Sequence, residues 1–298
     1  MLIGSWRQPG VLVNPRIRQP RSRDGRRLQL LEWPGGETGA QLLVIPGKGD
    51  HAGRYGELAA RLAPLGWSVA SLDLRGQGQS EGARSRVGRF EEYLWDLEAG
   101  ITELRRDHPG KPLVLLGYSM GATVAIQHVL QGGSGIAGLV LVSPCLSIES
   151  RLTGINGLLV TLGSHLLPHL VVTRRYHPPA VTTDPEEQQR LAADPLVDGT
   201  TRPRLVCELR KATRDCLERA GQLGLPVLTL MSPTDRIVDP DGAERFHQSL
   251  AKTGSLCRYP GLRHDLLHER ERERVYADLC QWLALLPECL HGKTLERG

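Results

Sequence analysis

The sequence predicts an α/β protein: a mostly parallel central sheet, helices on both faces and a helical insertion over one end. Three observations carry this prediction. Apolar strand-like runs alternate with helix-period segments from residue 28 to about Ser147, the pattern of strands joined by crossover helices. The alternation stops near Ser147 and returns at Pro226, which marks an insertion. The chain has 298 residues, 40% hydrophobic and 23% charged, enough for a large buried core and far from the composition of disordered, collagenous or coiled-coil chains.

Residues 1–27 hold seven arginines against one acid, Asp24, with three prolines among them. This segment reads as a solvated edge strand, with a basic arm resting on anionic lipid as the alternative. Asp24-Gly25 reads as a tight hairpin turn into a strand at 28–33, and Leu42-Leu43-Val44-Ile45 forms a second strand at 41–46. There follow a helix at 55–62, a strand at 67–73, a helix at 90–107, a strand at 113–117, a helix at 120–131 and a strand at 139–142. Beyond the interruption come a strand at 227–231, a helix at 241–250, a strand at 256–259 and an amphipathic helix at 272–285.

Within the interruption, residues 152–172 are apolar but broken by Gly154, Gly157, Gly163 and Pro168. A polar, proline-rich stretch follows, then a helical one near 205–222. Open α/β sheets bind ligands at the carboxyl ends of their strands, so an insertion there reads as a cap over a site. The expected organisation is a core in two parts, 1–147 and 223–298, with the cap at 148–222.

A formal charge of +4 over this length is too mild to imply a nucleic-acid partner. The first residues lack a secretory hydrophobic stretch, and no apolar run reaches the roughly 18 residues of a membrane span; the chain reads as soluble and cytoplasmic. The six cysteines, Cys145, Cys207, Cys216, Cys257, Cys280 and Cys289, are scattered without metal-ligand spacing. Free thiols are expected, and disulfides only in an exported protein.

Gly117-Tyr118-Ser119-Met120-Gly121 fits G-x-S-x-G, and so does Gly78-Gln79-Ser80-Glu81-Gly82. A nucleophilic serine on a strained turn needs a buried strand before it and a helix after it. Only Ser119 has both; Ser80 leads into the loop-like Ala83-Arg84-Ser85-Arg86. A serine hydroxyl also needs a base and an acid that orients the base, here expected in the chain order Ser, Asp, His. Of ten histidines, His247, His264, His268 and His291 lie downstream of a suitable acid. His264 follows a strand and the turn Pro260-Gly261, whereas His247 falls inside a helix and His268 reads as packing or capping. A His264/His268 metal pair lacks a third ligand within reach, so no metal is expected. Asp235, on the loop after the strand at 227–231, ranks ahead of Asp239 and Asp241, which flank Pro240 as helix caps. The oxyanion formed on acyl transfer needs two backbone N–H donors, assigned to Met120 and to Lys48 in Pro46-Gly47-Lys48-Gly49.

With these residues placed, the chain resembles the monoacylglycerol lipase and lysophospholipase branch of the α/β-hydrolases, of the serine aminopeptidase S33 type. Residues 47–55 are similar to its oxyanion loop and following helix, and residues 73–82 to its Asp-x-Arg-Gly-x-Gly-x-Ser-x-Gly stretch, which accounts for the second serine match. Residues 117–121 resemble its elbow, Asp235-Arg236-Ile237-Val238-Asp239-Pro240 its acid loop, His264 with Glu269 its His-x-x-x-x-Glu segment, and Ala193-Asp194-Pro195-Leu196-Val197 a cap segment. Pro46 and Tyr118 stand where the family usually has histidine, and Ala122 where it has glycine.

The resemblance implies a cofactor-free serine ester hydrolase acting on lipid-like monoesters through an acyl-enzyme on Ser119. Leu158, Leu159, Leu162, Leu166 and Leu167, with Tyr118, are the expected substrate contacts, the leucines forming an acyl-chain wall or a membrane-resting surface; a plain cap core is the alternative. Lys48 is expected to favour an anionic acyl or head group. Cleavage of small esters, thioesters or amides, and a ligand receptor with slow turnover, remain the rival readings.

Overall fold

The computed structural model describes residues 14–36, 40–148, 154–167, 170–173, 177–250 and 253–290. Eight strands form one sheet in the order β1 (Arg16–Arg18), β2 (Gln29–Trp33), β4 (Ser68–Asp73), β3 (Gln41–Ile45), β5 (Leu113–Tyr118), β6 (Ile136–Val142), β9 (Val227–Met231) and β10 (Gly254–Arg258). β2 runs antiparallel to both of its neighbours, β1 and β4, and the remaining neighbours pair in parallel. The chain therefore opens on a hairpin edge, with Arg16 opposite Glu32; the part of the basic arm at residues 1–13 lies outside the described residues.

Strand order reverses between β3 and β5, because β4 lies on one side of β3 and β5 on the other. Open α/β sheets place their ligand crevice at the carboxyl edge of such a reversal.

Alternation along each strand fills two cores. Leu43 and Ile45 of β3 and Leu113 and Leu115 of β5 face one, while Leu42, Val44, Val114 and Leu116 face the other. The first core packs against α2 (Glu91–Asp107), α3 (Met120–Leu130), α7 (Pro203–Arg219) and α8 (Pro240–Ser249). The second is closed by α1 (Gly56–Leu62) and α9 (Arg272–Leu290). Strands buried on both faces read as continuous apolar runs for this reason.

Between β6 and β9 the chain forms α4 (Gly154–Leu166), β7 (Val172–Thr173), α5 (Pro178–Val181), α6 (Pro185–Ala193), β8 (Thr200–Thr201) and α7. The run that the glycines were expected to break forms one helix, α4, through Gly157 and Gly163. Gly163 lies against the Pro203 ring at the start of α7, so packing on α7 outweighs the low helix propensity of glycine. The last helix continues to Leu290, beyond the expected 285.

Candidate active site

The turn from β5 into α3 holds Ser119 at φ 53°, ψ −115°, a left-handed conformation that non-glycine residues seldom adopt. Small neighbours make the turn possible. A Cβ on Gly121 would overlap the Ile45 carbonyl oxygen, and one on Gly117 the Ala122 backbone. The backbone is held on both sides: Ser119 N–H donates to Val142 O at 3.0 Å, and Ser119 O accepts from Ala122 and Cys145 N–H, each at 3.1 Å. Ser80 has a different environment. Its hydroxyl accepts from Gln29 N–H at 2.8 Å and donates to Asp73 O at 2.6 Å, tying β2 to the turn after β4.

Asp235 lies on the loop after β9, and one carboxylate oxygen is occupied by the N–H groups of Ile237 (2.7 Å) and Val238 (3.1 Å). The other meets His264 Nδ1 at 2.7 Å, and both side chains are buried. The His264 ring packs on Tyr118, with ring centroids 5.1 Å apart, which sets it beside the residue preceding Ser119. The competing acid Asp239 caps α8 through Asp241 N–H at 3.1 Å, with Asp241 in the first turn of the same helix. His247 is on α8, and His291 lies outside the described residues.

The loop after β3 reaches the elbow at Gly47, where an added Cβ would stand 3.2 Å from Ser119 Cβ and 3.0 Å from the Tyr118 ring. Lys48 follows, and its ammonium donates to Thr200 O at 3.1 Å. This contact directs the amine to the backbone of the segment between β6 and β9. Tyr118 is buried against His264. Leu162, Leu166 and Leu167 are 47%, 73% and 58% exposed. Leu158 and Leu159 are on the same helix, and their side chains lie outside the described residues.

The sequence reading did not single out a buried ionic cluster beside His264. Arg54 Nη1 donates to Asp50 at 2.9 Å, and Nη2 donates to Glu187 at 2.8 Å and to Asp265. His268 bonds Asp265 through Nδ1 at 2.8 Å and the Arg54 carbonyl through Nε2 at 3.0 Å. Burial pushes the Asp265 carboxyl up, but the charges of His268 and Arg54 outweigh it and hold it well below the usual carboxylate range. Burial likewise pulls His268 down, and Asp265 more than compensates, leaving the imidazole raised. The available signal was the charged pattern within Asp50-His51-Ala52-Gly53-Arg54-Tyr55, which no surface helix face explains. Glu187, Asp265 and His268 have ligand-type atoms within 4.8 Å of one another, but the guanidinium bonded to both acids already supplies the positive charge there. His264 is not part of this group.

A profile of the family described as serine aminopeptidase, S33, matches residues 36–271. The chain belongs to this family. It is 32% identical to the monoglyceride lipase of Homo sapiens over 271 residues, covering 88% of each chain. It is 28% identical to phospholipase YtpA of Bacillus subtilis over 247 residues, 82% of this chain and 95% of that one. Among solved structures it is similar to the monoacylglycerol lipase of Paleococcus ferrophilus, with a TM-score of 0.78 at 26% identity, covering 87% of this chain and 99% of that chain.

In this S33-family α/β-hydrolase the three departures from the family pattern fall around the elbow. Tyr118 supplies a ring against His264, Ala122 is fully buried under Gly117, and Pro46 begins the loop that approaches Ser119. None replaces the Ser119 hydroxyl, the His264 imidazole or the Asp235 carboxylate.

Proposed function

We propose that this carboxylic ester hydrolase cleaves lipid monoesters of the monoacylglycerol or lysophospholipid type, with Ser119, His264 and Asp235 as its catalytic residues. The observation that carries the assignment is the Asp235–His264 hydrogen bond packed against Tyr118, one residue before the strained Ser119. His264 takes the Ser119 proton as the oxygen attacks the ester carbonyl, and returns it to the departing alcohol. Water then hydrolyses the acyl-enzyme by the same route in reverse. Asp235 fixes the imidazole with its proton on Nδ1, and the N–H groups of Met120 and Lys48 hold the oxyanion. Every step uses side chains and backbone of this chain, with no cofactor.

Residues 148–222 act as the cap of a core formed by 1–147 and 223–298. The apolar surface at Leu162, Leu166, Leu167, Leu170 and Val171, each at least 44% exposed, rests on the lipid interface and passes substrate to the crevice. Among the described residues no helix is long and apolar enough to cross a membrane, so this contact is peripheral. Cys145, Cys207, Cys216, Cys257 and Cys280 are free thiols, which fits a reducing, cytoplasmic compartment; the Cys289 side chain lies outside the described residues. The relatives named monoglyceride lipase and phospholipase support the substrate class.

Steady-state hydrolysis of an acyl-length series, including a monoacylglycerol and a lysophospholipid, by wild type and Ser119→Ala tests the reading. Turnover that rises with acyl length and vanishes in the variant is expected. Turnover confined to short esters would overturn the lipid assignment, and full activity in the variant would overturn Ser119.

A further inference from the structure

The loop assigned one oxyanion donor under the ester-hydrolase reading is closed by a single backbone bond of its own, Asp50 N–H to Gly47 O. Gly47 and Gly49 carry no side chains, and Gly49 has φ +77°, so nothing in the residues themselves restricts this stretch to one backbone conformation. An amide donor helps only when it is already aimed at the position where negative charge develops. Its aim therefore has to be set from outside the loop.

Three contacts join the loop to residues 194–200 of the inserted segment, in antiparallel order. Lys48 Nζ donates to Thr200 O at 3.1 Å. Asp198 N–H donates to Gly49 O at 2.9 Å, and the backbones approach so closely there that a Cβ on Gly49 would overlap the Asp198 carbonyl oxygen. His51 Nε2 meets Asp194 Oδ2 at 2.8 Å, with both side chains almost wholly buried.

The last contact is the directional one. His51 Nδ1 accepts the Gly53 N–H at 3.2 Å, so the imidazole proton belongs on Nε2 and is donated to the carboxylate. The other Asp194 oxygen accepts Leu196 N–H at 2.7 Å, which turns the carboxylate toward His51. Burial pushes the Asp194 carboxyl up, but the His51 and Leu196 hydrogen bonds outweigh it and keep it below its ordinary value. Asp50 N–H donates to Gly47 O at 3.2 Å, closing the turn that connects His51 to Lys48.

We propose that the buried His51–Asp194 pair positions the Gly47–Lys48 amides, so that the oxyanion hole is completed by the inserted segment. Asp194 and His51 are then positioning residues: they touch no reacting atom and act through the loop. The proposal rests on the ester-hydrolase reading above.

The test uses His51→Asn and Asp194→Ser, each of which keeps its local turn bond and loses the reach across to its partner. Both single variants and the double variant are compared with wild type for kcat, KM, melting temperature and affinity for a trifluoromethyl ketone, whose hemiketal oxyanion occupies the hole. Each single variant is expected to lose kcat about tenfold or more with KM little changed. Ketone affinity should fall by the same factor as kcat, and the double variant should be no worse than either single, because one tie is broken in all three. Unchanged kcat, a loss confined to KM, or losses that multiply in the double variant would each overturn the positioning role. Absence of ester hydrolysis by the wild type would overturn the functional reading and this proposal with it, which separates the two failures.

Discussion

Asp235 offers one carboxylate oxygen to two backbone N–H groups and the other to His264 Nδ1 at 2.7 Å. The two oxygens are therefore not interchangeable. In Asp235→Asn the amide oxygen stays with the Ile237 and Val238 N–H groups, which leaves NH2 facing His264. The imidazole must then accept at Nδ1 and carry its proton on Nε2, where it is unable to take one from Ser119. A fall in kcat of about 10⁴ is expected, with little change in melting temperature. Steady-state kinetics beside a thermal melt check this, and a loss below tenfold would remove Asp235 from the mechanism.

The two serines in G-x-S-x-G contexts should separate cleanly. Ser119→Ala is expected to abolish turnover and leave stability nearly unchanged. Ser80→Ala strands the Gln29 N–H, which costs about 1–3 kcal/mol, and should retain wild-type kcat. Urea unfolding together with ester kinetics on both variants decides it.

Stability should depend on pH through the cluster beside His264. Asp265 has a folded-state pKa below its unfolded one, so its contribution is complete above roughly pH 4 and is lost as pH falls toward the folded value. His268 is raised, so its contribution is present below roughly pH 6.5 and is lost as pH rises through the folded pKa. Asp265→Asn should flatten the acid arm of a plot of unfolding free energy against pH, and His268→Gln the decline above neutrality. Parallel curves for wild type and variants would contradict the cluster's role.

Removing Arg54 takes the shared guanidinium from buried Asp50, Glu187 and Asp265, leaving His268 beside Asp265 and Arg190 beside Glu187. Arg54→Met is expected to cost about 3–5 kcal/mol, read as a lowered urea midpoint. A midpoint equal to wild type would mean that the carboxylates find other partners.

The exposed ridge of α4 should matter only at an interface. Leu166→Ser with Leu167→Ser is expected to weaken co-sedimentation with phosphatidylcholine vesicles severalfold while hydrolysis of a water-soluble short ester is retained. Equal vesicle binding would remove the membrane contact from the proposed function.

The sequence by itself determined the fold class, the strand and helix order of the core and the strand-to-helix turn that sets Ser119 apart from Ser80. Each of these depends on near neighbours in the chain: two-residue and 3.6-residue apolar periods, or a strand meeting a helix around a small-residue turn. Even so, glycines in residues 152–172 signalled breaks that the packing of α4 on Pro203 overrides.

Only the tertiary structure decided which Asp235 oxygen faces His264, where the Lys48 amine goes, and that Arg54 is surrounded by acids from three separate segments. These contacts join residues as far apart as Arg54 and Asp265 or His51 and Asp194. A buried charge is tolerable only when its partner arrives from elsewhere in the fold, and no local pattern in a single chain records which distant residue that partner will be.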